Sequence, residues 1–320
     1  MRQWPVILVA VTLICSCGGG KTSVLPQSGG RPYEVLIVSG HDITAAQAID
    51  SMLSHDVDGL PQPEPMFDVS VTDSSRFNQT ARLARNIVII NISPGQFTET
   101  RVRYEKNLWA RPQTVVYVNA PSHRELVSRL TGVSKGIINL LTRAELNAAI
   151  STLDAANNTD AADAVASMFG CRIKLPPDLR SSKRGDNFIW LSDNRADAMR
   201  NVCVYTYPGD RLQPERALAA RDSVMRVNIP GERPGMYMQT SAGTVKAGVA
   251  EEHGRKILIT RGLWEIMGDA MGGPFVSHAV VDTLRHRVIV AEAFVYAPGM
   301  KKRNMIRCLE AALYTLRVNG

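Results

Sequence analysis

Two places in this sequence bring together residue types that do chemistry. The first is the glycine-rich loop from Gly268 to Pro274, which carries Asp269, Gly272 and Gly273 and is followed by His278. Glycine permits positive φ and close backbone approach, so such a loop can present amides to a ligand with Asp269 and His278 beside it. The plainer reading, which turn chemistry favours, is a tight connection between two strands. The second is Lys301-Lys302-Arg303, which follows Ala297-Pro298-Gly299 and opens an amphipathic C-terminal segment. A helix N-terminus already carries partial positive charge and free amide donors, so three cations there conflict with the dipole unless an anion joins them. Three side chains fanned into screened water are the plainer and favoured reading. A bound phosphate or carboxylate is the other.

Cys17 is reactive in a different way. Arg2 gives a positive start, Val6 to Ile14 an apolar run, and Leu13-Ile14-Cys15-Ser16-Cys17 has the form of a lipobox, in which cleavage precedes a cysteine that is then diacylated. The apolar run is shorter than the ~20 residues that span a bilayer. The expectation is therefore a signal peptide over 1–16, lipidation at Cys17 and a membrane anchor made of acyl chains. Residues 17–32, rich in Gly, Pro and Ser, read as a flexible tether. Gly20-Lys21-Thr22 is no phosphate-binding P-loop, because Cys15 stands where that motif needs its first glycine.

Standard catalytic signatures are missing. The sequence has no HExxH, HxxEH, GxSxG or SxxK, and no two of the six histidines are three or four residues apart as a helical metal pair requires. Asp56-Val57-Asp58-Gly59 lacks the later ligands of a calcium loop and reads as an acidic turn. His41-Asp42 follows the first strand, where α/β sites often sit, although a loop-edge His beside a capping Asp is commoner than a catalytic pair. No cofactor and no metal are expected. Cys171, Cys203 and Cys308 allow at most one disulfide in the folded part, between Cys171 and Cys203 if those runs are neighbouring strands; buried free thiols are the other reading.

The elements that must position these residues are mixed. Strand-like runs occur at 33–39, 67–71, 86–92, 114–118, 171–175, 187–191, 202–207, 236–240, 256–260, 275–282 and 288–296, the last two joined as a hairpin. Helical spacing occurs at 45–53, from Ser122 with Glu125 in the capping-box position to 153, at 161–169, at 214–227 and at 300–317. This is an α+β pattern of mixed and antiparallel sheets with flanking helices, because the closing strands are consecutive. Strand, Ala-Pro turn and helix occur twice, at 114–130 and 293–309, which suggests two similar lobes: 33–155 and 160–320, divided at the polar stretch 154–160. With 45% hydrophobic residues the chain has ample core, and its formal charge of +7 suits acidic neighbours.

A resemblance adds class and compartment. The run Gly262-Leu263-Trp264-Glu265-Ile266-Met267-Gly268-Asp269-Ala270-Met271-Gly272-Gly273-Pro274-Phe275-Val276-Ser277-His278, with Arg287-Val288-Ile289-Val290, Phe294-Val295-Tyr296-Ala297-Pro298 and the basic final helix, resembles a family of Bacteroidetes envelope lipoproteins classed as a domain of unknown function. The resemblance covers most of the chain after the signal and implies no activity. In that phylum acidic residues after the lipidated cysteine mark surface export. Gly18 to Ser23 has none, which implies a periplasm-facing protein, on the outer membrane rather than the inner. The expected partners are the membrane through the lipid, and an envelope protein, an anionic lipid or a glycan; nucleic acid is not one. A binding or assembly factor is the leading expectation, with an envelope enzyme built on Asp269, His278 and His41 as its rival. A broad apolar or basic groove would favour binding, and a deep pocket joining those residues would favour catalysis.

Overall fold

The computed structural model describes residues 25–41, 43–252 and 254–318. Cys17 with its lipobox and Asp42 lie outside them. The elements in chain order are β1 (Glu34–Ser39), α1 (Thr44–Leu53), β2 (Asp68–Asp73), β3 (Asn86–Ile92), β4 (Arg101–Lys106), β5 (Thr114–Ala120), α2 (His123–Ala155), α3 (Thr159–Phe169) and β6 (Cys171–Arg172). They continue with β7 (Ser181–Gly185), β8 (Phe188–Ser192), β9 (Met199–Pro208), α4 (Pro214–Asn228), β10 (Met238–Thr240), β11 (Lys246–Glu252), β12 (Arg255–Ile266), β13 (Gly272–Asp282), β14 (Arg287–Tyr296), α5 (Arg303–Leu313) and β15 (Arg317–Val318). The fold is α+β.

The first sheet has the order β2-β1-β3-β5-β4, parallel except for β4 at its edge. β-Branched residues fill its central strands because both faces of those strands are covered. On the inner face Val35, Ile37, Val88, Ile90, Val116 and Val118 pack against α1 and α2. α2 begins where expected: the Ser122 hydroxyl accepts from the Glu125 N–H at 3.1 Å. α3 is likewise capped by Asn158 and ends at Gly170 in the left-handed region.

The second sheet is antiparallel, in the order β10-β12-β13-β14-β9-β8-β7, with β11 paired to β12. One face packs on α3 and α5 through residues such as Val204, Val276, Ile289, Ala293, Phe169 and Leu309. The opposite face packs on α4 through Tyr205, Phe275, Phe294, Ala217 and Met225. α5 also packs on α2, so it is shared between the two halves. A parallel sheet and an antiparallel one are not copies of each other, so the likeness between the halves stops at the short strand–turn–helix unit.

Two further expectations change. Residues 26–29 hydrogen-bond to Leu83 and Arg111, so the end of the supposed tether is fastened to the first sheet. Cys171 and Cys203 lie on opposite faces of the second sheet and are free thiols, as is Cys308; burial pushes the Cys171 thiol up to about 12.

Candidate functional site

β13 carries most of the residues that the sequence singled out, and it separates them. Gly268, with φ of 82°, and exposed Asp269 form the turn that leads from β12 into β13. Asp269 accepts from the Ala270 N–H and meets no cation. Gly272 and Gly273 are needed for strand packing: a Cβ on Gly272 would sit 2.8 Å from the Trp264 carbonyl oxygen, and one on Gly273 only 2.1 Å from that of Val295. His278 lies six residues farther along the strand, about 20 Å away at ~3.3 Å per residue. His41 belongs to the other sheet. The loop and its histidine therefore do not make one ligand site, and no shared pocket joins Asp269, His278 and His41.

His278 instead lines a separate half-open groove of about 980 Å³. Ile257 and Val280 of the sheet, Val249 of β11, Leu284 of the β13–β14 turn, and Leu313 and Leu316 around the end of α5 give it apolar walls. Val249 and Leu284 are 55% and 68% exposed, which is unusual for branched apolar side chains lying in one groove. His278 itself is buried, with its ring edge-on to Tyr314 at a centroid distance of 4.5 Å. Its Nε2 lies 3.5 Å from Glu310 Oε1, an ion-pair separation, yet neither ring nitrogen completes a hydrogen bond. Burial raises the Glu310 carboxyl, but the Arg261 guanidinium and then His278 outweigh it and hold Glu310 below its ordinary value.

The charges around this groove are unequal in availability. Asp210 pairs with His286 at 2.9 Å, Glu252 with Arg143 at 3.3 Å, and Asp282 with Arg287 at 3.0 Å and Arg285 at 3.3 Å. Arg211 and Lys256 are exposed and make no ion pair among the described residues. Arg255 and Arg317 donate only to backbone carbonyls of Val318, Tyr314 and Leu316. Since the His286 ring offsets Asp210 only when protonated, the balance on the groove is an excess of cations over one carboxylate.

At the start of α5 the anion demanded by Lys301-Lys302-Arg303 is a side chain of the protein. The N–H groups of Lys302 and Arg303 donate to Glu64 Oε1 and Oε2 at 2.7 and 2.9 Å. Arg303 then donates to Asp68 Oδ2 at 2.6 Å and to the Pro65 carbonyl at 2.5 Å, while Lys301 lies 3.8 Å from Asp68. Glu64, Lys302 and Arg303 are all buried, so these two basic residues are met by the protein's own carboxylates, while Lys301 stays exposed. Asp68 is raised by burial, but the Arg303 hydrogen bond and the neighbouring cations hold it below its ordinary value. Glu64 was missed because no spacing rule links it to residue 302; its one local sign is the flanking Pro63 and Pro65, which stiffen the backbone that carries it.

A buried pair on the opposite face of the sheet was also missed. Arg221 of α4 meets Glu292 of β14 at 2.8 Å, stacks 3.9 Å from the Phe275 ring, and donates to Asp222 and Thr240. Its charges are mutually satisfied, with no pocket opening on them, so it fastens α4 to the sheet. Among the described residues no group of His, Cys, Asp and Glu is arranged to hold a metal ion.

Fold and groove together define an α+β protein of two large, unlike sheets and a small β6–β15 pair, with a half-open, apolar-walled, basic-rimmed groove. Residues 28–154 match the family described as Domain of unknown function (DUF8532), and residues 158–315 that described as Domain of unknown function (DUF4837). A search of curated proteins gives no match. Among solved structures, the Saccharomyces cerevisiae Ran-binding protein Mog1p aligns at 12% identity and a TM-score of 0.31, over 47% of this chain and 92% of that one. LpqN, described as involved in cell envelope biogenesis of Mycobacterium tuberculosis, aligns at 15% identity and 0.29, over 47% and 83%. A protein from Bacteroides thetaiotaomicron aligns at 9% and 0.26, over 47% and 45%.

Proposed function

We propose that this protein is a non-catalytic binding factor of the bacterial envelope, held to a membrane by acyl chains on Cys17 and facing the periplasm, and that its groove takes an amphiphile with an apolar body and an anionic end. The observation that supports this most is the groove: its walls are aliphatic, and the charges at its rim without an ion-pair partner among the described residues are mostly cationic, Arg211, Arg255, Lys256 and Arg317 against Asp210, which meets only the His286 ring. An alkyl chain gains by leaving water against such walls at about 25 cal/mol per Å². A phosphate or carboxylate head can then meet the rim, with His278 in the floor. Asp269, His278 and His41 lie apart, which supports the binding reading over the rival enzyme. No helix among the described residues is long and apolar enough to cross a membrane.

The groove is tested with the full chain and dodecyl phosphate as the probe, dodecyl maltoside serving as the uncharged control. Binding of the phosphate should weaken with salt and fall about tenfold or more when Lys256 and Arg211 are both changed to Gln, since two charge-assisted contacts are lost. Equal binding of both detergents, or indifference to the double change, would sink the anionic-amphiphile reading. Anchoring is tested separately by labelling with palmitate: Cys17→Ala should abolish incorporation and move the protein out of the membrane fraction.

A further inference from the structure

The first sheet ends in a second crevice that the groove does not involve. β1, β3 and β5 run parallel, and their carboxyl ends open together at Ser39, Ile92 and Asn119. From β1 the chain passes through α1 to β2 on one side, whereas from β3 it passes toward β5 on the other. In an open parallel sheet such a reversal leaves a crevice beyond the strand ends, and ligands of α/β proteins characteristically bind there. Here the crevice encloses about 800 Å³.

Its chemistry is set by a pair of amides. Asn91 and Asn119 are register partners on β3 and β5, and Asn91 Nδ2 donates to Asn119 Oδ1 at 2.8 Å. That bond uses one donor and one acceptor of the pair. The Asn91 Oδ1 acceptor and the Asn119 Nδ2 donors have no partner among the described residues, and both side chains are half-buried. Turning both amides over leaves the same complement, one acceptor beside one donor. Gln96 adds an exposed amide and Phe97 a half-buried ring.

The charge balance selects the ligand class. No Lys, Asp or Glu lines the crevice among the described residues. Arg103 does, paired with Glu105 and stacked 3.7 Å from the Tyr117 ring, and so do His41, which meets Asp73 at 3.3 Å, and His123. An anion would have to compete with Glu105 for Arg103 and with Asp73 for His41, whereas a neutral polar ligand displaces neither. Vicinal hydroxyls of a sugar ring each donate and accept, which matches adjacent amides, and the C–H face of the ring suits an aromatic neighbour. We infer that this crevice binds a neutral carbohydrate of about one or two pyranose rings, held by the side-chain amides of Asn91 and Asn119.

The experiment uses the full chain and saturation-transfer NMR with glucose, mannose, N-acetylglucosamine and their disaccharides, plus inorganic phosphate as the anionic probe. At least one sugar should bind in the millimolar range, and Asn119→Ala should weaken it about tenfold, the worth of one or two hydrogen bonds. Circular dichroism reports whether that variant folds; if it does not, Gln96→Ala, on an exposed loop, should still weaken binding severalfold. The Lys256 and Arg211 changes that test the groove should leave sugar binding intact, so failure of one site is distinguishable from failure of the other. No sugar binding at tens of millimolar, binding indifferent to Asn119→Ala and Gln96→Ala alike, or phosphate binding that these changes abolish would each overturn the inference.

Discussion

Glu64 is the residue whose consequences reach farthest. Two backbone amides at a buried helix start have no other carboxylate, and leaving such donors unpaired costs more than the net worth of the bonds themselves. Glu64→Ala should therefore destabilise the protein by about 2 kcal/mol or more, and Glu64→Gln by less because one acceptor remains; urea unfolding of the three proteins measures this. Asp68 makes the same junction sensitive to acid. Its folded pKa lies below the ordinary 3.8, so its contribution is fully present above that value and is lost as pH falls through the folded value. Melting temperature should drop as pH is lowered from about 4 toward 2, and Asp68→Asn should flatten part of that drop. Asp269 gives the contrast: it is exposed and unpaired with any cation, and Asp269→Ala should change stability by no more than about 0.5 kcal/mol. A large fall in melting temperature in that variant would show that the turn is a structural cap.

The second sheet depends on the close approach of β13 to its neighbours. Gly273 has its Cβ position filled by the Val295 carbonyl, so even a methyl group must push β13 and β14 apart. Gly273→Ala should cost about 2 kcal/mol, with the loss visible as faster amide exchange in both strands. α4 is fastened differently. Arg221→Met leaves the buried Glu292 carboxyl without its partner and should cost about 3–5 kcal/mol, while adding Glu292→Leu should recover most of it, because the pair is replaced by apolar groups of similar volume. A double variant as unstable as the single one would mean that the network does more than satisfy its own charges. These element-level facts were partly legible: the cap of α2 and the spacing of apolar residues predicted helices and strands close to those observed. β4, β7 and β11 were not predicted, because RVRYEK, SSKRG and KAGVAEE are largely exposed and lack the apolar alternation that marks a half-buried strand, and β15 was missed because the final helix, expected to reach Arg317, stops at Leu313.

Over the whole molecule, α5 joins the two sheets: its apolar side packs on the second sheet, its N-terminus is held by Glu64 and Asp68, and Arg307 lies over the ring of Tyr33 at 4.4 Å. Burial lowers the Arg307 pKa and raises that of Tyr33, as expected where charges and phenols are enclosed between two halves. The sequence by itself determined what local physics controls: the α+β class, the cap of α2, the strand-forming runs, the break between α2 and α3, and the conflict of Lys301, Lys302 and Arg303 with a helix start, which an anion would relieve. Tertiary structure decided which anion that is, since residues 64 and 302 meet only when the halves pack. It also decided that Gly272 and Gly273 make room for carbonyls, that His278 faces a groove while Asp269 faces solvent, and that Asn91 and Asn119 share a crevice. Local spacing fixes which way a side chain faces within its own element, whereas contacts across hundreds of residues depend on sheet order and packing, which no spacing along the chain encodes.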